Sequence, residues 1–399
     1  MSWRQLPPVS SPIPVRALVD GIGAAIGLLP AGNEIVAAAL RRRYGAVDAL
    51  LTDSGTSALI LALRKLVPLG GTVAYPAYSC IDLTSAAVGA GVRVRLYDLD
   101  PVTLSPDLSS VRKAIARGVD AIVVAHLYGY PADVIGVRAL AQSEGIPVIE
   151  DAAQGAGGRI DGLQLGSLGD VSILSFARGK GTTGGSGGAL LTKTPAFRDW
   201  TGATRAGLTF SRGGIEVLNL TAQRVLSHPW IYRVPSSIPA LRLGEMVYRE
   251  PRRPRGMSRV SAAVLRRTLD VEDLQVSARR NRAANLLSCL DRTAAATPVR
   301  SIPGSESGFL RLAFLDAAGS MSPRSDLGAL RGYPMTLGEH PQLRPLLHPG
   351  EKAGTGATFL RDRLFTVPTH AGVSDADVAR LAVWLNGETA ALPARPAFV

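Results

Sequence analysis

The chain has 399 residues, of which 46% are apolar, 5% aromatic and 19% charged. This composition predicts a folded protein with one large and one smaller domain, and it excludes a disordered chain, a collagen-like repeat and a coiled-coil array. The net charge of +12 is concentrated at residues 41–43 and 249–259, and such a surface attracts nucleic acid, anionic lipid or anionic substrates. No nucleic-acid-binding motif accompanies the charge, so a solvated arginine-rich surface is favoured and no nucleic-acid partner is expected.

The chain begins with an N-terminal arm and helix, predicted over residues 1–47. From residue 48 to 193, short β-rich apolar runs alternate with helical patterns. Such alternation is typical of an α/β domain with a mostly parallel sheet flanked by helices, which binds ligands at the carboxyl ends of its strands. The helical patterns of this region lie at residues 56–66, 108–117 and 134–144.

The pattern changes after Trp200. Residues 201–250 are predicted to be rich in loops, and a long helix is predicted over residues 258–290. Short strands and a last helix at 374–385 predict a small α+β domain at the C-terminus. We therefore expect a large domain over 48–255, which includes a divergent 201–255 insertion, and a long helix and small domain over 256–399.

The two cysteines, Cys80 and Cys289, are too few and too far apart for a disulfide framework, and neither has the spacing of a metal ligand. No metal site is predicted. The chain has no run of 18 apolar residues, and its first 20 residues make a poor signal peptide. The simplest expected location is the reducing cytoplasm.

The strongest candidate for chemistry is Lys180, in a glycine-rich loop between two strand patterns. A lysine amine becomes a nucleophile for carbonyl groups once it is desolvated or placed near another cation. Taken alone, a lysine in a flexible surface turn is the more common case. Asp151 changes that balance, because it follows an apolar strand 29 residues before Lys180. A carboxylate there can keep the ring nitrogen of pyridoxal phosphate (PLP) protonated, although an Asp at a strand end is often only a helix N-cap.

A third element is the turn Ser54–Ser57, which opens an apolar helix. Its backbone N–H groups and hydroxyls can bind an anion, so Gly55, Thr56 and Ser57 predict a phosphate cradle, although an ordinary capped helix begins in the same way. Three further side chains could contact the same ligand: Tyr78 by stacking on a ring, Ser175 at the phosphate and Gln154 at a phenolic oxygen. For Tyr78, a place in the core is the alternative.

In this order and spacing, these motifs resemble the DegT/StrS family of sugar aminotransferases, which are PLP-dependent enzymes of fold type I. The resemblance covers residues 48–193 well, and it rests on the following motifs: Ser54-Gly55-Thr56, Pro76-Ala77-Tyr78, HLYG at 126–129, EDAAQ at 150–154, Gly169-Asp170, Ser175-Phe176, Lys180 and GGAL at 187–190. It implies that Lys180 forms a Schiff base with PLP, with Asp151 on the pyridine nitrogen and Gln154 near the phenolic oxygen. It also implies Thr56, Ser57 and Ser175 at the phosphate, Tyr78 over the ring and a homodimer.

The chain departs from the family pattern at Pro254-Arg255-Gly256, where the family usually has an Asn-x-Arg whose Asn reaches the partner's cofactor. Gly181 stands where Asn is more common after the lysine. Residues 201–250 and the N-terminal arm do not match the segments that shape the sugar site. The resemblance therefore specifies the cofactor better than the substrate.

The activity predicted from the resemblance is transfer of an amino group from an amino acid, with glutamate the family expectation, to a keto-sugar that is nucleotide-linked. An arginine-rich entrance would suit such an acceptor, since arginine binds phosphate bidentately. Two alternatives remain open: a PLP enzyme that catalyses elimination or carbon–carbon bond formation, and a non-catalytic regulator with the same fold.

A last expectation concerns residues 228–248, where apolar side chains precede four arginines. Packing in a dimer interface or as a lid is the favoured interpretation. Peripheral contact with an anionic membrane is the alternative, because apolar groups beside arginines suit a lipid surface. The apolar residues of this segment are Trp230, Ile231, Tyr232, Ile238, Leu241, Leu243, Met246 and Tyr248.

Overall fold

The structure is a computed structural model that describes residues 4–30, 32–238, 247–291 and 294–387. Its centre is a seven-stranded sheet built from β1 (Asp48–Thr52), β2 (Thr72–Pro76), β3 (Arg93–Tyr97), β4 (Ala121–Ala125), β5 (Val148–Asp151), β8 (Val171–Ser175) and β9 (Gly188–Thr192). The strand order is β1-β9-β8-β5-β4-β2-β3. β9 pairs antiparallel with both of its neighbours, while β8, β5, β4, β2 and β3 are joined by parallel pairing.

The strands of this sheet are apolar along most of their length because helices cover the sheet. β1, β4 and β9 are buried at every position, as is typical of strands with both faces covered. The predicted mostly parallel sheet flanked by helices is confirmed. The helices of this region and of the N-terminus are α1 (Val15–Ala25), α2 (Asn33–Tyr44), α3 (Gly55–Leu66), α4 (Asp82–Ala90), α5 (Leu108–Ala116) and α6 (Val134–Gln142).

The parallel arrangement determines where side chains meet. β1, β2, β4, β5 and β8 all run in the same direction, since the single reversed strand, β9, lies between β1 and β8. Their carboxyl ends therefore lie along one edge of the sheet. The segments that follow these five strands begin at residues 53, 77, 126, 152 and 176.

Residues 201–250 differ from the expectation of a loop-rich segment, because much of this stretch is helical. The helices are α7 (Arg198–Gly207), α8 (Gly214–Leu226) and α9 (Arg233–Ser236). The prediction failed because the glycines and prolines between and within these helices are typical of loops, and because the apolar residues of α8 are mostly exposed. In α8 only Leu220 and Gln223 are buried.

The long helix expected over residues 258–290 is two helices, α10 (Arg259–Leu269) and α11 (Glu272–Ser288). Arg266 and Arg267 lie in the last turn of α10, and two acidic residues, Glu272 and Asp273, begin α11. This distribution of charge favours a helix end followed by a helix start, since cations stabilise a carboxyl end and anions an amino end. The apolar periodicity continues across the break, which explains why the sequence pattern predicted one helix.

The C-terminal region combines short strands with two helices. Its elements, together with the short strands of the large domain not yet named, are β6 (Arg159–Ile160), β7 (Leu163–Gln164), β10 (Thr297–Pro298), β11 (Ser305–Glu306), β12 (Arg311–Leu315), β13 (Leu330–Arg331), α12 (Thr355–Arg363), β14 (Leu364–Pro368) and α13 (Asp375–Leu385). An antiparallel sheet in the order β10-β12-β14-β13 confirms the predicted small α+β unit. The last helix begins at Asp375, after the N-cap Ser374. The exact domain boundaries stay a prediction.

Over the described ranges, the chain contains no helix of the length and apolarity needed to cross a bilayer. The structure describes residues 228–248, the segment with a possible membrane contact, only in part. Trp230, Ile231 and Ile238 are exposed, and Tyr232 and Tyr248 are half-buried. Leu241, Leu243 and Met246 lie outside the described residues.

Candidate active site

The amino end of α3 forms one wall of a cavity at the carboxyl edge of the main sheet. The Ser54 hydroxyl accepts a hydrogen bond from the Ser57 N–H, so Ser54 is the N-cap, and Gly55, Thr56 and Ser57 form the first turn. All four residues line the cavity. The first N–H groups of a helix lack partners within the helix and favour an anion. The predicted cradle residues are therefore brought together.

Ser175, at the end of β8, lies directly beside this turn. A Cβ atom added to Gly55 would lie 2.8 Å from the Cβ atom of Ser175, closer than two carbon atoms pack. Glycine at position 55 therefore allows the helix to approach β8 and brings the Ser175 side chain to the helix end. Ser175 also lines the cavity.

Lys180 lies in the turn between β8 and β9 and lines the same cavity. It is flanked by Gly179 and Gly181, whose φ angles of 79° and 87° suit glycine. Burial by itself would lower the pKa of the Lys180 amine. The nearby Asp82 and Asp151 carboxylates act in the opposite direction, and the pKa is raised above its ordinary value because they favour the ammonium form.

Asp151 ends β5 and faces the cavity from the centre of the sheet. Its Oδ1 atom accepts a hydrogen bond from the Ala153 N–H at 3.0 Å. Burial raises the pKa of Asp151, and the Ala153 N–H and Lys180 only partly offset this effect. Asp151 forms no salt bridge with any described residue, so the carboxylate is available to a cationic ligand.

Gln154 and Tyr78 have different positions. Gln154 lines the cavity, but its Oε1 atom accepts from the Tyr128 N–H and its Nε2 donates to the Tyr333 hydroxyl at 2.7 Å. Tyr78 is fully buried, its ring centroid lies 5.2 Å from that of Tyr333, and its hydroxyl accepts from the Tyr333 N–H. Tyr78 is not among the residues that line the cavity. The structure thus brings Gln154 to the site, whereas Tyr78 is buried and does not line it.

His126, from the segment after β4, lines the cavity although its motif suggested no contact with a ligand. Its Nδ1 accepts from the Ala132 N–H at 2.9 Å, so Nε2 carries the proton and donates to the Glu150 Oε1 at 3.0 Å. Both ring nitrogens are therefore engaged, and a face of the imidazole is what the ring can offer to a ligand. The EDAAQ motif accounts for this pair, since Glu150 precedes Asp151 on the same strand.

The cavity has a volume of about 640 Å³. Besides the residues above, the cavity is lined by residues that the sequence did not predict as part of a site. The sequence around Asp82 predicts only a position after a strand. Arg249 and Arg252 belong to a charged run that by itself does not predict a contact with a ligand. The main polar and charged members of this set are Asp53, Ser79, Cys80, Asp82, Ser85, Arg249, Glu250 and Arg252.

Part of the chain is similar in sequence to known aminotransferases. The profile of the DegT/DnrJ/EryC1/StrS aminotransferase family matches residues 32–223. Over 151 residues the chain is 39% identical to the L-glutamine:2-deoxy-scyllo-inosose aminotransferase of Streptoalloteichus tenebrarius, a match that covers 38% of this chain and 36% of that protein. Over 141 residues it is 39% identical to an Acidithiobacillus ferrooxidans 3-aminotransferase acting on UDP-N-acetyl-3-dehydro-alpha-D-glucosamine, covering 35% and 38%. The chain thus matches well under half the length of these relatives.

Solved structures match over nearly the whole chain. DesV of S. venezuelae, in complex with a ketimine intermediate, has a TM-score of 0.70 at 22% identity and covers 95% of this chain and 98% of its own. The sugar aminotransferase CalS13 of Micromonospora echinospora has a TM-score of 0.74 at 20% identity, with coverage of 96% and 99%. At this identity the likeness establishes the fold alone, and it confirms the predicted fold class of a large α/β domain followed by a small α+β unit.

Proposed function

Since residues 32–223 match the DegT/DnrJ/EryC1/StrS aminotransferase family, we propose that the chain is a PLP-dependent aminotransferase. It moves an amino group from an amino acid, with glutamate as the expected donor, to the ketone of a nucleotide-linked keto-sugar in glycan or secondary-metabolite biosynthesis. The observation that carries the proposal is the placement of Lys180, Asp151 and the α3 amino end around one cavity.

The donor set of the cavity fits PLP. Asp151 offers a carboxylate without a salt-bridge partner among the described residues, which suits a protonated ring nitrogen. The first turn of α3, with Thr56, Ser57 and Ser175, offers N–H and hydroxyl groups to a phosphate. Gly55 lets Ser175 approach the amino end of α3, because a side chain at position 55 would collide with Ser175. Lys180 provides the amine that would hold the cofactor.

When bound, PLP supplies an electron sink for the carbon from which a proton is removed. Asp151 would keep the charge of the ring nitrogen in place. Lys180, which lines the same cavity, would accept the proton from the substrate carbon and return it to another, and a base held beside its target is effective for this purpose. The His126 ring, held by Ala132 and Glu150, would bound the space beside the cofactor.

The relatives and two arginines of the cavity support the choice of acceptor. The names of the two relatives specify a cyclitol ketone and a nucleotide-linked keto-sugar. Arg249 and Arg252 line the cavity, and guanidinium groups suit a phosphate. We therefore propose a nucleotide-linked keto-sugar as the acceptor, with a neutral keto-cyclitol as the second candidate.

We also propose a cytoplasmic homodimer. Large exposed apolar side chains on α1 and α8, such as Val19, Ile22, Ile215 and Leu218, favour an interface between subunits. Peripheral membrane contact through residues 228–248 remains the alternative use of the exposed Trp230 and its neighbours. Liposome co-sedimentation at low salt distinguishes the two, since a dimer interface gives no binding to anionic vesicles.

The test of the activity has two parts. The cofactor-loaded protein is mixed with glutamate or glutamine alone, and absorbance shows whether the cofactor is converted to its amine form, as only a transaminase requires. Mass spectrometry then identifies aminated products from a panel of nucleotide-linked keto-sugars and keto-cyclitols. Elimination or carbon–carbon bond formation would leave the cofactor in its aldehyde form, and a regulator would neither convert the cofactor nor form a product.

A further inference from the structure

The charged groups of the cavity come from parts of the chain that are far apart in sequence. Asp82 and Asp151 lie close enough to the Lys180 amine to stabilise its charge. Arg249 and Arg252 line the cavity in a different segment, the 249–252 stretch. Neither arginine forms a salt bridge with a described residue. The cavity thus combines two carboxylates near Lys180 with two guanidinium groups that form no salt bridge with a described residue.

Helix α4 connects these two sets of charged groups. Asp82 is its first residue, and Ser85, one turn later, lies on the same face and also lines the cavity. The Ser85 hydroxyl donates to the Arg249 carbonyl oxygen at 2.8 Å, which ties the arginine-bearing segment to the helix. Gly89 extends this contact, because a Cβ there would lie 2.8 Å from the Pro251 Cβ.

Asp82 is held in place but has no cationic partner among the described residues apart from the lysine. Its Oδ2 accepts a hydrogen bond from the Cys80 thiol at 3.4 Å. Burial raises the pKa of Cys80 to about 12, so the sulfur keeps its proton and acts as a donor. Among the described residues Asp82 forms no salt bridge. Its second carboxylate oxygen is therefore available to a ligand.

An amino donor has to deliver its nitrogen to the place that the Lys180 amine occupies. That place can stabilise an ammonium group, because the Asp82 and Asp151 carboxylates line the same cavity and both favour the charged form of Lys180. Asp151 is the residue that would be committed to the cofactor ring. Asp82 is left as the carboxylate that can bind an arriving ammonium.

We propose that Asp82 is a specificity-determining residue that binds the ammonium group of a zwitterionic amino-acid donor, while Arg249 and Arg252 bind its carboxylate. This inference rests on the proposed function and names the recognition of its donor. Two other acidic groups line the same cavity, Asp53 and Glu250. The Asp53 Oδ1 accepts from the Arg255 N–H, and the Glu250 Oε2 accepts from the Tyr248 hydroxyl. Neither lies within salt-bridge distance of the two arginines, so the guanidinium groups remain available.

The test separates the ammonium from the rest of the donor by comparing glutamate with glutarate, which lacks the amine. In Asp82→Asn, we expect the apparent Kd for glutamate in the conversion of the bound cofactor to rise about 10- to 100-fold, the range of a lost charge-assisted hydrogen bond. Binding of glutarate, measured by calorimetry without turnover, should be unchanged or tighter because a repelling carboxylate is gone. Asp82→Glu should recover part of the glutamate affinity.

The arginines give a different pattern. In Arg249→Gln/Arg252→Gln, glutarate and glutamate should both bind about 10-fold or more weakly. The matched controls are Asp199→Asn and Arg253→Gln, two exposed residues that do not line the cavity, and both should bind each ligand as the parent chain does.

Two results would overturn the inference. One is an Asp82→Asn variant that binds glutamate normally, and the other is a variant that loses glutamate and glutarate alike, since that indicates a structural role. Failure of the proposed function looks different: the parent chain itself would then leave its bound cofactor in the aldehyde form with every amino donor offered.

Discussion

The His126 Nε2 atom donates a hydrogen bond to the Glu150 Oε1 atom at 3.0 Å, and both side chains are fully buried. Glu150 accepts four further bonds, from the N–H groups of Gly166, Leu168 and Gly169 and from the Ser172 hydroxyl. Every lone-pair direction of this carboxylate is in use. The pair fixes the ring of His126 in the cavity wall next to Asp151, so a buried charge supports the geometry of the site.

We expect Glu150→Gln to lower the free energy of unfolding at neutral pH by about 3 kcal/mol, because removing the charge leaves several buried donors poorly paired. Burial alone would raise the pKa of Glu150, but the bonds from His126 and the backbone lower it below its ordinary value of 4.5. A lowered pKa in the folded state stabilises the fold fully above the ordinary value, and this stabilisation is lost as pH falls through the folded-state pKa.

Urea unfolding of the parent and the Gln variant from pH 7 downward measures this difference. Since the ordinary pKa is 4.5, the difference should narrow only below that pH. Glu144→Gln, at an exposed position after α6, is the control and should change stability by less than about 0.5 kcal/mol. Equal stability of the parent and Glu150→Gln at neutral pH would contradict the role of the network.

Lys180→Ala should abolish the covalent attachment of PLP and reduce turnover to background, since the amine that holds the cofactor and transfers the proton is gone. Borohydride reduction of the parent chain followed by peptide mapping should place the label on Lys180. Lys193→Ala, at an exposed lysine after β9, should retain both the label and the activity. Label found on another lysine would rule out the assignment.

Asp151→Asn should retain bound PLP and lose activity by about 100-fold or more, the size of effect seen when a well-placed electrostatic group is removed from an active site. A neutral amide cannot stabilise a protonated ring nitrogen. Single-turnover kinetics with the amino donor measures the loss, and absorbance at equilibrium measures the retained cofactor. Near-normal turnover would remove Asp151 from this role.

Gly55→Ala should weaken PLP binding and cost about 1–3 kcal/mol of stability, because the new methyl group would meet the Cβ of Ser175 at 2.8 Å and must displace β8 or the start of α3. Equilibrium dialysis of PLP and thermal unfolding test the two effects. Gly202→Ala is the matched control, since a Cβ at position 202 has no neighbour within 4 Å. If Gly55→Ala binds PLP as tightly as the parent, the close approach is not needed for the cradle.

The chain should form a homodimer in solution, with a mass by light scattering of about twice 41.8 kDa. Burial of the exposed apolar residues of α1 and α8 provides the driving force. Val19→Glu with Leu218→Glu should favour the monomer, because charges would replace apolar side chains on that surface. The control is Leu69→Glu, at an exposed apolar residue in the turn after α3. An active monomer of the parent chain would contradict the assembly.

Much of the site follows from local sequence. The alternation of apolar runs and helices predicted the sheet and a ligand site at the carboxyl ends of its strands. Gly55 and the glycines around Lys180 indicated a tight turn or a close approach of the backbone, because such positions restrict the residue type to glycine. The sequence was therefore sufficient to assign Asp151, Ser175 and Lys180 to one candidate site.

Other features depended on distant segments. Tyr78 could stack on a ligand or lie in the core, and the sequence could not show that it is buried against Tyr333, which comes 255 residues later. The single helix expected over residues 258–290 is two, since the charges at the junction outweigh a continuing apolar pattern.

The sequence by itself therefore determined the fold class and the candidate pair Lys180 and Asp151, because periodicity, glycine turns and strand ends are local properties with direct physical causes. Only the tertiary structure decided that Asp82, His126 and the arginines 249 and 252 share their cavity. The reason is that distant segments of the chain form the cavity. A local sequence pattern cannot show which polar side chains line such a cavity and which face solvent. That choice depends on how the helices cross the sheet and on contacts such as Ser85 with Arg249.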